Sequence, residues 1–309
     1  MTGQSIPKDT APAQRPQPFA ALPHRGRWGA PRPAALAALP LPPAAMPLQR
    51  GGRPRKRWRY VGVFGPELMA CAALVQVGVA RQSFWAVWER PGGDGAGRLL
   101  ERTRFRRGGV RLAPGRLEVD DVAADGTPVA LALALAEVDG VETVCRHGRQ
   151  YAWTRKQGGV AARGRVRVGG RERVVDAHAV IDDSAGYHAR RTAWRWCAGV
   201  GRAQDGRAVA WNLVAGINDP PRASERTVWV DGAPAEAAPA TFAADLGRVT
   251  TADGGDLCFA AEAVRERREH LLLVRSAYRQ PFGTFAGTLP GGIPLAAGWG
   301  VMEAHDARW

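Results

Sequence analysis

Apolar and polar residues alternate along most of this chain with the period of two that belongs to β-strands. The first clear run starts at Trp58: Trp58, Tyr60, Gly62 and Phe64 fall on one face, Arg59, Val61 and Val63 on the other. Asp-Gly, the strongest short hairpin signal because a type I′ turn needs positive φ at both central positions, occurs six times, at Asp94-Gly95, Asp125-Gly126, Asp139-Gly140, Asp205-Gly206, Asp231-Gly232 and Asp253-Gly254. LALALAEVDGVETVCR, RVRVGGRERVVD and WRWCAGVGRAQDGRAVAWNLV read as hairpins. HLLLVRSAY supplies another apolar run, and the charged AEAVRERREH that leads into it fits one short helix. Many short strands at turn spacing predict an all-β barrel or sandwich.

More than ten strands over about 250 residues are too many for one small barrel, whose interior fills at roughly eight. The expected architecture is therefore two packed β-barrel-like halves, 58–185 and 186–309, with a single large sandwich as the alternative. No internal sequence repeat supports the division; the Trp85/Trp88 and Trp194/Trp196 segments differ in spacing. Residues 1–57 form a Pro/Ala/Arg-rich N-terminal tail without sustained periodicity, expected to be mobile or draped over the fold.

Composition refines this picture. The 309 residues are 45% hydrophobic and 23% charged, a globular balance, and include 11 tryptophans. Indole buries a large apolar face and needs one partner for its N–H, so tryptophan in a β protein builds core or pocket wall. The net charge of +14 invites a nucleic-acid reading. Only Lys8, Lys56 and Lys156 are lysine, however, and of the scattered arginines only Arg50 to Arg59 forms a dense cluster. A solvated basic surface accounts for this more simply. Cys71, Cys145, Cys197 and Cys258 are isolated, without CxxC or close His partners, which argues against zinc and for reduced, buried thiols. Ala34 to Met46 is too short and proline-broken for a signal or a membrane span. These features predict a cytoplasmic protein with no cofactor and no metal.

The segments RKRWRYVGVFGPELMACAALVQVG, RQSFWAVWER, GYHARRTAWRWCAGVG, AVAWNLVAGINDPPRASERTVWVDG and GWGVMEAHDARW resemble the bacterial family called DUF2804, from about residue 36 onward. That family has no established function, so the resemblance implies a fold and no reaction. More distantly, the all-β pattern is similar to two-lipocalin-like-domain proteins that include carotenoid 1,2-hydratases. This implies lipocalin-like halves and chemistry on lipophiles.

Candidate chemistry concentrates between Gly186 and Pro221. Trp194 and Trp196 share a strand face with Thr192, and Val209, Trp211 and Leu213 form a second apolar face across the Asp205-Gly206 turn. Meeting inside a barrel, these faces make an aromatic-walled cavity; otherwise the indoles fill a core. Asp182, Asp183, Tyr187 and His188 form a polar cluster upstream. A carboxylate beside histidine or tyrosine can move a proton once burial tunes its pKa, but Asp182-Asp183-Ser184-Ala185-Gly186 is equally good turn chemistry. Tyr187 and His188, as strand neighbours, point to opposite faces. Glu225 pairs with Arg222 or Arg226 or faces a site. Glu303 and His305 share a face with Val301 and form either a proton-transfer pair or a rim ion pair. No GxSxG elbow, P-loop, HExxH or dinucleotide fingerprint occurs in a suitable context.

The leading expectation is binding of a hydrophobic small molecule (lipid, isoprenoid or polyketide) in a β-barrel cavity walled by some of Trp85, Trp88, Trp194, Trp196 and Trp211. Tyr187, His188, Glu303 and His305 are the candidate catalytic groups for proton-driven hydration, isomerisation or cyclisation. A carrier or sensor without turnover, and a basic interaction or nucleic-acid module using Arg50 to Arg59, are the alternatives. The oligomeric state is not legible.

Overall fold

A computed structural model describes residues 19–91, 96–105, 108–271 and 274–308, with backbone alone at 270, 271 and 274. Its regular secondary structure is almost entirely antiparallel sheet. The first sheet runs, in spatial order, β7 (Arg98–Phe105), β6 (Ala80–Glu89), β5 (Leu68–Val77), β4 (Lys56–Phe64), β13 (Arg171–Gly186), β12 (Gln150–Val168), β10 (Pro128–Leu135), β9 (Arg116–Val122) and β8 (Val110–Ala113). β11 (Val141–His147) also pairs with β12 and carries β1 (His24–Arg27) on its outer edge. The second sheet runs β17 (Ala233–Glu236), β16 (Thr227–Val230), β15 (Ala208–Ala215), β14 (Arg191–Ala203), β22 (Ile293–Arg308), β21 (Val274–Leu289), β20 (Asp256–Leu271), β19 (Arg248–Thr251) and β18 (Ala240–Phe242). β2 (Gln49–Arg50) and β3 (Arg53–Pro54) make a small separate hairpin.

The two sheets are wired alike. In each, the first long strand pairs with the last, β4 with β13 and β14 with β22, and the sheet opens between its fourth and fifth strands. Each also curls: β8 packs back on β5 and β6, and β18 on β15. The result is two lipocalin-like half-barrels, one from each end of the chain.

Alternation explains the packing. In β10, Val129, Leu131, Leu133 and Leu135 turn inward with Val61, Val63, Trp85 and Val87 to fill the first half-barrel. Trp211, Leu213, Cys197, Met302 and Phe285 fill the second. A third core lies between the halves, where Tyr60, Phe64, Met69 and Trp88 meet Trp196, Val214, Trp229 and Phe282. Central strands are thus buried on both faces. Leu36, Leu39, Leu41 and Met46 of the proline-rich segment pack on Tyr151, Trp153 and Tyr187, so this part is draped on the fold. Residues 1–18 lie outside the described residues.

Several sequence expectations are corrected. AEAVRERREH is not helical; it lies within β20 and pairs with β21 along its length. Among the described residues the helical content is one 3-10 turn, Ala34–Leu36, and no helix is long and apolar enough to cross a membrane. Asp139-Gly140 does not close a hairpin: the 19-residue β12 is long enough to pair with β11 over one end and β10 over the other. Asp182 to Gly186 is not a turn but the end of β13, paired on both sides. Among the described Asp-Gly pairs only Asp231-Gly232 has positive φ at both residues. At Asp125-Gly126, Asp205-Gly206 and Asp253-Gly254 the glycine alone is left-handed, at φ 89°, 88° and 91°. Asp94-Gly95 lies outside the described residues. Cys71, Cys145 and Cys197 are buried free thiols, but Cys258 is exposed.

Candidate functional site

A cavity of about 190 Å³ lies between the two half-barrels, predominantly apolar and lined by both sheets. Strand register builds its walls. On the first sheet, Lys56, Trp58 and Tyr60 of β4 stand beside Val77, Val75 and Ala73 of β5, which stand beside Gln82 and Phe84 of β6. On the second, Trp194 of β14 faces His305 of β22, which faces Tyr278 of β21; Trp196 faces Glu303.

Glu303 is the centre of the polar wall. Its Oε1 accepts from Trp194 Nε1 at 2.8 Å, and its Oε2 from the Tyr278 hydroxyl and Gln280 Nε2, each at 3.0 Å. Burial pushes its carboxyl up to about 7, against the pull of these donors. The Tyr278 hydroxyl is pushed well above the ordinary tyrosine value by burial and the neighbouring Glu303. His305 bonds Ser276 at 2.8 Å and packs edge-on against Trp194, with ring centroids 4.3 Å apart. Burial lowers it to about 4, so it is neutral. Glu303 and His305 are thus joined through the Trp194 side chain rather than by an ion pair.

A buried charge cluster also lines the cavity. Lys156 Nζ lies 2.6 Å from Asp182 Oδ1 and 3.3 Å from Glu225 Oε1. Asp182 also accepts from Ser184 Oγ at 2.9 Å and Trp58 Nε1 at 3.1 Å. Burial raises the Glu225 carboxyl although Lys156 opposes the shift; burial acts to lower Lys156, but the two carboxylates together outweigh it and raise the ammonium. Lys56, on the same wall, is lowered to about 7 by burial. Arg265, at the far wall, donates from Nε to Glu101 at 2.5 Å and lies over the Phe84 ring.

Of the sequence candidates, His188, Trp194, Trp196, Glu303 and His305 line this cavity. Tyr187 does not; it points to the opposite side, donating to the Pro47 carbonyl under the draped N-terminal segment. Trp85 is inside the first half-barrel, bonded to Asp121. Trp88 lies in the core between the halves, bonded to Glu262, and does not line the cavity. Trp211 is inside the second half-barrel beneath Phe285.

The cavity therefore lies outside the barrels rather than within one, and the reason is register. A two-residue Asp205-Gly206 turn would put Trp211 on the face of Trp196. Ala203 N–H instead bonds the Arg207 carbonyl, a three-residue loop, and Trp196 pairs with Val214. That single residue reverses every side chain of β15. Asn212 now shares the Trp196 face, accepts from its Nε1 at 2.7 Å and donates to the Glu225 carbonyl at 2.9 Å.

Lys56, Trp58, Lys156, Gln280 and Tyr278 were not singled out from sequence. Trp58 had a signal, since it shares a face with Tyr60. Glu225, expected to pair with Arg222 or Arg226 or to face a site, pairs with Lys156 and lines the cavity. Among the described residues no group of His, Cys, Asp and Glu could hold a metal ion. In the basic cluster, Arg53, Arg55 and Arg59 bond His147, Met46 and Asp183 respectively, and Arg50 lies over Tyr151.

Three solved structures align with most of the chain at low identity. A protein described as ATTH from Nitrosomonas europaea is 15% identical, with a TM-score of 0.49, covering 86% of this chain and 98% of that one. Kievitone hydratase from Nectria haematococca is 11% identical, with a TM-score of 0.48, over 81% and 88%. CghA, solved with Sch210972, is 10% identical, with a TM-score of 0.33, over 82% and 88%. No curated protein matches. A family model, described as a domain of unknown function, matches residues 115–309, a later start than the resemblance near residue 36 suggested. That span is more than half of the chain, and the protein belongs to the DUF2804 family.

Proposed function

We propose that the protein binds a small lipophilic molecule in the cavity between its half-barrels and that Glu303 exchanges a proton with it. The carrying observation is a buried carboxyl, held by three hydrogen-bond donors, on the wall of a predominantly apolar cavity, where burial pushes its pKa up to about 7. Such a group is protonated for part of the time at neutral pH and can act as acid or base. The reaction class that fits is proton-driven: hydration, isomerisation or cyclisation of an alkene, with no cofactor required. Trp194, Tyr278 and Gln280 keep the carboxyl aimed and stabilise its ionised form after the proton leaves. Trp196, Phe84 and Val75 supply apolar contact, and His305 stays neutral beside Glu303.

A second reading, a carrier without turnover, is favoured by a specific observation: Glu303 accepts three hydrogen bonds, as a purely structural acid would. The basic interaction module has less support, because the cluster's arginines bond within the fold.

The discriminating experiment is incubation of the purified protein with a lipophile extract of its source organism in deuterium oxide. Proton transfer to carbon leaves a non-exchangeable deuterium in the product, read by mass spectrometry. One labelled lipophile, absent with Glu303→Gln, is the expected result. A stoichiometric bound molecule in native mass spectrometry without any label would select the carrier. Neither a label nor a bound molecule would overturn both.

A further inference from the structure

Most polar groups around the cavity are partnered. Trp58, Trp194, Trp196, Tyr278, Ser276 and Gln280 each bond within the chain. Among the described residues, the buried lining atoms without a hydrogen-bond partner are both ring nitrogens of His188, Thr192 Oγ1 and Arg265 Nη1. The Gly186 backbone lies within reach of one nitrogen of the His188 ring and favours its protonated form, which leaves the other nitrogen without a partner. Arg265 has its own compensation: its guanidinium carbon sits 4.4 Å from the centroid of the Phe84 ring, whose face attracts a cation. Thr192 Oγ1 has none, and Gly186 can serve at most one of the two His188 nitrogens. The other orphaned atoms belong to Arg55, Arg59, Gln150 and Trp211, which do not line the cavity.

An unpaired polar group, buried and held in place, is rare in a native fold and calls for an explanation. His188 is 4% exposed. It is stacked on Trp58, centroids 5.3 Å apart, and met edge-on by His147 at 4.8 Å. His147 is itself tied to Asn218 at 2.8 Å, so the ring has little freedom to turn. Burial, with His147 and Lys56 nearby, drives its basicity far down. The neutral imidazole offers one donor and one acceptor, and the Thr192 hydroxyl offers both. Thr192 is four positions along the chain from His188 and shares the strand face of Trp194 and Trp196. The group that complements such a set is one that both donates and accepts.

We infer that His188 and Thr192 bind a hydroxyl group of the ligand, which is therefore a lipophilic alcohol rather than a plain hydrocarbon or a fatty acid. The lining sets the carboxyl groups of Asp182, Glu225, Glu269 and Glu303 against the cations Lys56, Lys156, Arg265 and Arg267, so it offers an anion no net attraction. The inference rests on the proposal that the cavity is the ligand site. It adds to that proposal a substrate class and two specificity residues.

The test is equilibrium dialysis of the full chain against 2-naphthol, naphthalene and 2-naphthoate, probes that share a ring system and differ in the oxygen function. The expected result is a preference of at least about tenfold for 2-naphthol over both others, the size of a hydrogen-bonded pair. Thr192→Val, close in shape, should lower that preference several-fold while leaving naphthalene affinity unchanged. His188→Phe should abolish it, with folding checked by circular dichroism. Equal binding of 2-naphthol and naphthalene, or a preference that survives both substitutions, would show that water serves these groups and would overturn the inference. Tighter binding of 2-naphthoate would replace the alcohol by an acid. Binding of none of the three would instead remove the cavity reading on which the inference stands.

Discussion

At the scale of single residues, Glu303 and two of the tryptophans separate site from scaffold. The folded state holds the Glu303 proton more tightly than the unfolded chain, since burial lifts its pKa to about 7. Its contribution to stability is neutral below the ordinary glutamate value. The penalty grows as pH rises through that value towards 7 and is complete above it, on the order of 3 kcal/mol. Glu303→Gln should therefore raise Tm at pH 8 and leave it nearly unchanged at pH 4.5, while lowering turnover by about a hundredfold or more. Thermal scans at the two pH values check the first part, and deuterium incorporation checks the second. Trp85 and Trp196 look alike in sequence, yet one fills a half-barrel and the other lines the cavity. Trp85→Ala should cost roughly 3–5 kcal/mol without changing the affinity of a cavity-bound probe relative to folded protein. Trp196→Ala should also destabilise, but it should enlarge the cavity and alter which probes bind. Urea unfolding and dialysis on both variants would expose a wrong assignment as an exchange of the two phenotypes.

Elements add what residues alone do not supply, namely facing. Asp-Gly marks a turn at Asp125-Gly126, Asp205-Gly206, Asp231-Gly232 and Asp253-Gly254 but not at Asp139-Gly140, and the loop length is not contained in the dipeptide. At Asp205-Gly206 the left-handed conformation falls on Gly206, at φ 88° with open space where a side chain would stand. Gly206→Ala should thus cost only the backbone term, roughly 1–2 kcal/mol, and leave the cavity intact. Deleting Gln204 is a sharper test. It shortens the loop to two residues and would turn Trp211 toward the cavity face, but β15 is also locked to β16 and Gly199 fits beneath the Trp211 ring. The deletion should abolish cooperative unfolding of the second half in hydrogen exchange. A well-folded variant with normal exchange would mean that register is set by the loop less than these contacts imply.

Across the whole molecule, the site exists only because the halves meet. Lys156 and Asp182 come from the first sheet and Glu225 from the loop before β16 in the second. A buried cation shared by two carboxylates is costly to break from one side, typically by about 3–5 kcal/mol, because charges are left without a partner. Lys156→Met should destabilise by that order at pH 8. The loss should be smaller at pH 5, where the stranded Glu225 carboxyl, raised by burial, can take up a proton, and a matching Glu225→Gln change should recover part of it. Denaturant titrations of the single and double variants measure this directly; a pH-independent loss would show that Lys156 acts through packing alone.

By itself, the sequence determined the period-two pattern, and with it the strands, most turns, the all-β class and the inward faces of strands such as β10. It also placed Trp194, Trp196, Glu303 and His305 on shared faces, because alternation along one strand is a local property. Tertiary structure decided the rest. It set the three-residue loop that sends Trp211 inward, the two strands sharing the edge of β12, and the side of the fold to which Tyr187 turns. It also recruited Lys156, Tyr278 and Trp58 to a cavity between half-barrels. Those outcomes depend on which strands pair and in what register, and register is fixed by the summed packing of distant residues, a quantity no local stretch of the chain contains.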